Sequence, residues 1–214
     1  MSTIAELLRA SRVMPVVTIE DPEHAVSVAK ALLEAGLPVM ELMLRTPQAL
    51  AALRAITRAL PSMKVGAGTV LDAAQMRQAE EAGAAFTVAP GATPALYAAA
   101  RRSKLAFMPA IATPSELMSA LEEGHTHCKL FPASVLGSTF AAALHGPFPE
   151  ARFCTTGGIS RTNLREFLGQ PNVLTVGCSW IATPELIAAA NWRQIHSNAE
   201  EACALADNVR GVCY

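Results

Sequence analysis

Charge is scarce in this chain of 214 residues: 16% of positions are Asp, Glu, Lys or Arg, and they balance to a formal net charge of -1. A surface so sparsely and evenly charged argues against nucleic acid as a partner. No apolar run is long enough to cross a bilayer, because charges, prolines or glycines interrupt each one, so no membrane partner is expected. The stretch from Met1 to Arg12 carries Glu6, Arg9 and Arg12 and lacks the pattern of a signal peptide. The five cysteines (128, 154, 178, 203 and 213) are odd in number, widely spaced and without a C-x-x-C pair. That spacing fits reduced thiols in a cytoplasmic protein better than a disulfide framework or a zinc site. No G-x-G-x-x-G follows the first apolar run, which weakens the case for a dinucleotide-binding open sheet.

What is present is a repeated phrase. A capping box, Thr3 with Glu6, opens a short N-terminal helix with Ile4, Leu7 and Leu8 on its apolar edge. Apolar runs then alternate with helix-start signals: Val13–Ile19 before Asp21-Pro22, Val39–Leu44 before Thr46-Pro47, and Val65–Val70 before Asp72. Phe86–Val88 precedes Thr93-Pro94, and Leu105–Met108 precedes Thr113-Pro114. The run around Lys129 precedes Gly137-Ser138, Arg152–Thr156 precedes Ser160, and Val173–Val176 precedes Thr183-Pro184. These are eight strand-then-helix units about twenty to twenty-five residues apart. Alternation predicts a parallel sheet, and eight units predict its closure into a (β/α)8 (TIM) barrel, one domain over residues 1-214.

In such a barrel, chemistry collects where strands end. His125–Pro132 holds a single lysine, Lys129, in a mostly apolar stretch, with His127, Lys129 and Phe131 on one predicted face and Cys128 and Leu130 on the other. A buried lysine that surrenders its proton is a carbonyl nucleophile, whereas a lysine at a strand end simply reaches water. Glu41 and Arg45 share a face of the second strand, and Glu41 between Met40 and Leu42 is either a working carboxylate or the partner of a barrel lysine such as Lys129. Gly66-Ala67-Gly68-Thr69 would let backbone approach a ligand beside a hydroxyl. Thr156-Gly157-Gly158-Ile159-Ser160 and Gly177-Cys178-Ser179 end adjacent strands, where barrels bind phosphate through loop amides. His125 and His127 would share a strand face, but without a nearby carboxylate they make a poor metal site. On these residues alone, an epimerase or a non-catalytic sugar-phosphate-binding barrel remains open beside a lysine-dependent lyase.

Glu41-Leu42-Met43-Leu44-Arg45-Thr46, Gly66–Val70, Ala89-Pro90-Gly91, Lys129-Leu130-Phe131-Pro132-Ala133, Thr156–Ser160 and Gly177-Cys178-Ser179-Trp180 together resemble the bacterial 2-keto-3-deoxy-6-phosphogluconate aldolases, which also act on 4-hydroxy-2-oxoglutarate. The resemblance runs over nearly the whole chain and implies a class I, metal-independent aldolase without a cofactor, usually a homotrimer, acting on a small keto acid phosphate. It implies Lys129 as the Schiff-base lysine and Glu41 as the proton shuttle. Arg45 and Thr69 would hold the pyruvate carboxylate, with Pro90, Phe131 and Thr156 around the pocket and Gly157, Gly158 and Ser179 on the phosphate. Two positions depart from the family pattern. Ser134 stands where these enzymes often carry Glu, with Ser nearby in the related phosphogalactonate aldolases, and Cys178 stands where Gly is frequent. Both leave the sugar configuration open.

Overall fold

The computed structural model describes residues 3–11 and 13–210; Met1, Arg12 and Cys213 lie outside the described residues. Nine parallel strands form one sheet: β1 (Val13–Val17), β2 (Val39–Met43), β3 (Lys64–Gly68), β4 (Phe86–Val88), β5 (Ala106–Met108), β6 (Ala110–Ile111), β7 (His127–Leu130), β8 (Arg152–Thr156) and β9 (Val173–Cys178). The sheet runs β5-β4-β3-β2-β1-β9-β8-β7-β6, so its two edges are consecutive in the chain. Only Pro109 separates them. Having no N–H, it breaks the ladder locally, but its carbonyl still accepts from the Lys129 amide at 2.8 Å while Met108 O accepts from Ala89 on the other side. The ring therefore closes through residues 106–111, and the nine strands are the eight staves of a (β/α)8 barrel.

Two apolar layers follow from strand alternation. Outward side chains such as Leu42, Cys128, Leu130 and Val176 join the main core beneath the helices. Inward ones, Met14, Val39, Phe86, Val88, Met108 and Cys154, fill the lumen with Ile4, Leu7 and Leu8. Those last three lie on α1 (Ile4–Ala10), whose capping box forms as expected, so the N-terminal helix plugs the lower end of the barrel.

Several helix starts move. Thr46 caps nothing: its hydroxyl donates to Ile19 O at 2.7 Å, tying the loops after β1 and β2 together, and the helix begins at Ala49 behind Gln48. Asp21-Pro22 opens a short 3-10 turn ahead of the helix Ala25–Glu34. After β8 the helix starts at Leu164 rather than at Ser160, and a helical turn at Ala133–Leu136 was not expected. Among the described residues no helix is long and apolar enough to cross a membrane.

Candidate active site

β2 and β7 are separated by β1, β9 and β8, which places them opposite each other on an eight-stave ring. Glu41 and Lys129 point inward from these two strands and meet across the lumen. Lys129 Nζ donates to both carboxylate oxygens, at 2.9 and 3.2 Å. Glu41 is 0% and Lys129 3% exposed. An ion pair this deep offsets desolvation only through such two-pronged contact. Lys129 Nζ also lies 5.5 Å from the Phe131 ring centroid, the shared side that alternation predicts. The bland alternative for Lys129, a strand end reaching solvent, is thereby excluded, and the suggested pairing of Glu41 with Lys129 is observed.

Space for the pair comes from β3. A methyl at Gly68 would stand 2.4 Å from Glu41 Oε1 and 2.7 Å from Met43 Sδ, and one at Gly66 would strike the Phe86 ring. These glycines thus make room for the Phe86 and Glu41 side chains. Thr69, the next residue, has φ 61°, a left-handed conformation uncommon for a non-glycine residue and often found at functional sites. Its hydroxyl accepts from Arg45 Nε at 3.1 Å, so the two residues expected on one carboxylate are joined at the mouth.

On the far side of Lys129, Thr156 is nearly buried one turn of the pleat above Cys154, with Oγ1 and Sγ 3.7 Å apart. Gly157 and Gly158 follow at φ 98° and 73°, backbone that glycine adopts without the strain a side chain would bring. Gly157 lies against the Phe131 ring, and its carbonyl accepts from the Ser134 amide at 2.9 Å. A side chain at Gly158 would collide with the Ser134 hydroxyl. Sequence reasoning missed Asn163, which accepts from the Ser160 amide at 2.8 Å and donates to Gly158 O at 3.0 Å, fixing this loop. The Ser-x-x-Asn spacing is the signal that points to it, whereas Ser160 by itself reads as a helix start. Pro90 is half-buried at the end of β4, and Ser179 is exposed after β9, both at the mouth but outside the hydrogen-bonded group.

Cys128, Cys154 and Cys178 are buried, and desolvation pushes the first two thiols up to about 12 and Cys178 upward as well. Thiols held protonated are poor nucleophiles, in line with their reading as small core residues. The histidines do not share a strand face. β7 begins only at His127, while His125 stacks on Tyr97 at 5.6 Å with Phe107 edge-on. No group of three or more His, Cys, Asp or Glu side chains suited to a metal comes together among the described residues.

The model of the KDPG and KHG aldolases matches residues 4–198. The 2-dehydro-3-deoxy-phosphogluconate aldolase of Pseudoalteromonas atlantica is 44% identical over 193 residues, 90% of either chain. The KHG/KDPG aldolase of Escherichia coli is 42% identical over 197 residues, 92% of either chain. Among solved structures, the KDPG aldolase of Legionella pneumophila with pyruvate captured as a covalent carbinolamine superposes with a TM-score of 0.91. It is 39% identical, over 93% of this chain and 97% of that one. By the family match, the relatives and the shared barrel, this chain belongs to the KDPG and KHG aldolase family.

Proposed function

We propose that the chain is a class I aldolase that reversibly cleaves 2-keto-3-deoxy-6-phosphogluconate to pyruvate and D-glyceraldehyde 3-phosphate through an imine on Lys129. The single observation that carries the residue assignment is the buried pair of Lys129 Nζ and Glu41 at 2.9 Å. Attack on the C2 ketone needs a neutral amine, and Glu41 is within reach to take the ammonium proton. The amine adds to C2 to give a carbinolamine, and Glu41 returns the proton as the C2 hydroxyl leaves as water. The protonated imine then accepts the electron pair of the C3–C4 bond, giving an enamine, while the C4 hydroxyl proton passes to Glu41. Reprotonation at C3 and hydrolysis free pyruvate and the lysine. Arg45 offers a planar fork to the substrate carboxylate, with Thr69 beside it. Pro90, Phe131 and Thr156 line the reacting carbons. Gly157, Gly158 and Ser179 hold the phosphate, whose remote binding orients the scissile bond.

The capture of pyruvate by the Legionella relative supports the imine route. The names of relatives at 42–44% identity favour the gluconate over the galactonate configuration and add 4-hydroxy-2-oxoglutarate, cleaved to pyruvate and glyoxylate, as a second substrate. The reading needs no metal or organic cofactor, because the imine is the electron sink. It also includes the single domain and cytoplasmic setting expected from the sequence and the homotrimer that the resemblance implies, and Leu71, Met118 and Val135 are exposed apolar residues available to an interface. Pyruvate with borohydride should inactivate the protein permanently and place the added mass on Lys129, not on Lys30, Lys64 or Lys104. An active protein that resists trapping, or carries the label elsewhere, would sink the imine assignment.

A further inference from the structure

We propose that Arg161, Trp180 and Asn198 form a clamp that sets the spacing of the two phosphate-site loops, with Arg161 acting as a positioning residue and not as a phosphate ligand. This inference rests on the reading of Gly157, Gly158 and Ser179 as the phosphate site. Arg161 belongs to the loop after β8, three residues beyond Gly158, and Trp180 follows Ser179 in the loop after β9. The Arg161 guanidinium lies over the Trp180 ring, 4.0 Å from its centroid, and so bridges the two loops directly. Its Nε donates to Glu201 at 2.8 Å and its Nη2 to Asn198 Oδ1 at 2.9 Å. Asn198 is 4% exposed and donates in turn to the carbonyls of Trp180 and Ile181, at 3.4 and 3.1 Å. Gln194 donates to the same Asn198 oxygen at 2.9 Å. Gln194, Asn198 and Glu201 are spaced four and three apart on the closing helix Trp192–Arg210, hence on one face of it.

The charge of Arg161 is met by Glu201 and its plane is covered by Trp180. Two of its nitrogens are committed to the helix, so its contribution to an anion is geometric. Glycine-rich loops with positive φ have little stiffness of their own. Asn163 fixes the first loop internally, the strand pair Thr156–Gly177 joins the two loops at their base, and the clamp joins them again beyond Gly158 and Ser179. Binding of a phosphate between the two requires both at the correct separation, and an error of an ångström is costly there.

The test compares Arg161→Ala, Arg161→Lys and Trp180→Leu with wild type and with Ser179→Ala, on the phosphorylated substrate and on 4-hydroxy-2-oxoglutarate. Each clamp variant should raise KM for the phosphorylated substrate by about tenfold, leave its kcat within about twofold, and change 4-hydroxy-2-oxoglutarate cleavage much less. Lysine should not rescue, because it keeps the charge but loses the fork and the stacking plane. Rescue by lysine would overturn the positioning role in favour of direct charge recognition. Equal losses on both substrates would reduce the clamp to a stability element. Clamp variants without effect beside a Ser179→Ala that loses phosphate selectivity would overturn the clamp alone. A Ser179→Ala that changes cleavage of both substrates equally, or of neither, would overturn the phosphate reading and the clamp with it.

Discussion

Val39 and Glu41 are two residues apart on the same face of β2, and both are buried, yet they belong to different chemistries. Val39 packs among Met14, Phe86, Val88 and Met108 above the α1 plug. Glu41 reaches across the lumen to Lys129. One pleat of the strand separates an interior that only excludes water from one that holds a proton in play. Cys154 and Thr156 repeat the pattern on β8: a thiol in the apolar layer, then a hydroxyl at the mouth. The lower lumen can be sealed by a helix because nothing must enter it, and the upper lumen stays open where loops end the strands. Substitutions should therefore separate cleanly, costing stability below and turnover above.

The largest effect is expected where the two demands meet. Lys129→Met should abolish borohydride labelling and lower cleavage by roughly ten thousandfold or more. It should also destabilise the fold by about 3–5 kcal/mol, because Glu41 is left as a buried carboxylate without its partner. The double variant Lys129→Met with Glu41→Gln should recover much of that stability in urea melts and none of the activity. A double variant as unstable as the single one would show that the unpaired charge is not what the fold feels.

A smaller effect, confined to stability, is expected from Leu8→Ala. Leu8 is 1% exposed and closes the lower lumen from α1. Its loss leaves a cavity worth about 2–5 kcal/mol, while kcat per folded molecule and the yield of Lys129 labelling should stay at wild type. A fall in kcat matching the loss of stability would mean that the two halves of the lumen are coupled.

The barrel was legible because its signals are local and repeated. Thr3, Thr93, Thr113 and Thr183 each cap the helix they were expected to cap. Glu41 and Lys129 stood out because a charge in an apolar strand is expensive, although their meeting depends on barrel closure, which no local pattern encodes. The errors cluster where a polar residue had a distant partner. Thr46 looks like a cap but binds Ile19 O, and the spacing of Gly66 and Gly68 says nothing of Phe86 and Glu41 across the pleat. The Arg161 clamp was invisible for the same reason, since its members come from three separate elements.

The smallest expected effect is a pH dependence of stability away from the mouth. Burial lowers the pKa of His125, opposed in part by Glu123, and burial lowers that of His127, reinforced by Arg9 and Arg152. Burial thus favours the neutral ring in the fold at both positions, His125 between Tyr97 and Phe107 and His127 beside the Thr126 hydroxyl at 3.0 Å. Unfolded, each titrates near 6.5. Below that value and above the folded pKa, the unfolded chain binds more protons than the native one. The contribution of these histidines is therefore complete above the unfolded value and is lost as pH falls through the folded one. Denaturant midpoints measured at about pH 7.5 and about pH 5.5 should fall on acidification. The drop should be smaller for His127→Gln, which keeps a polar group beside Thr126 but cannot take the proton. An identical drop in that variant would assign the acid sensitivity to other groups and leave the lower barrel indifferent to the protonation of His127.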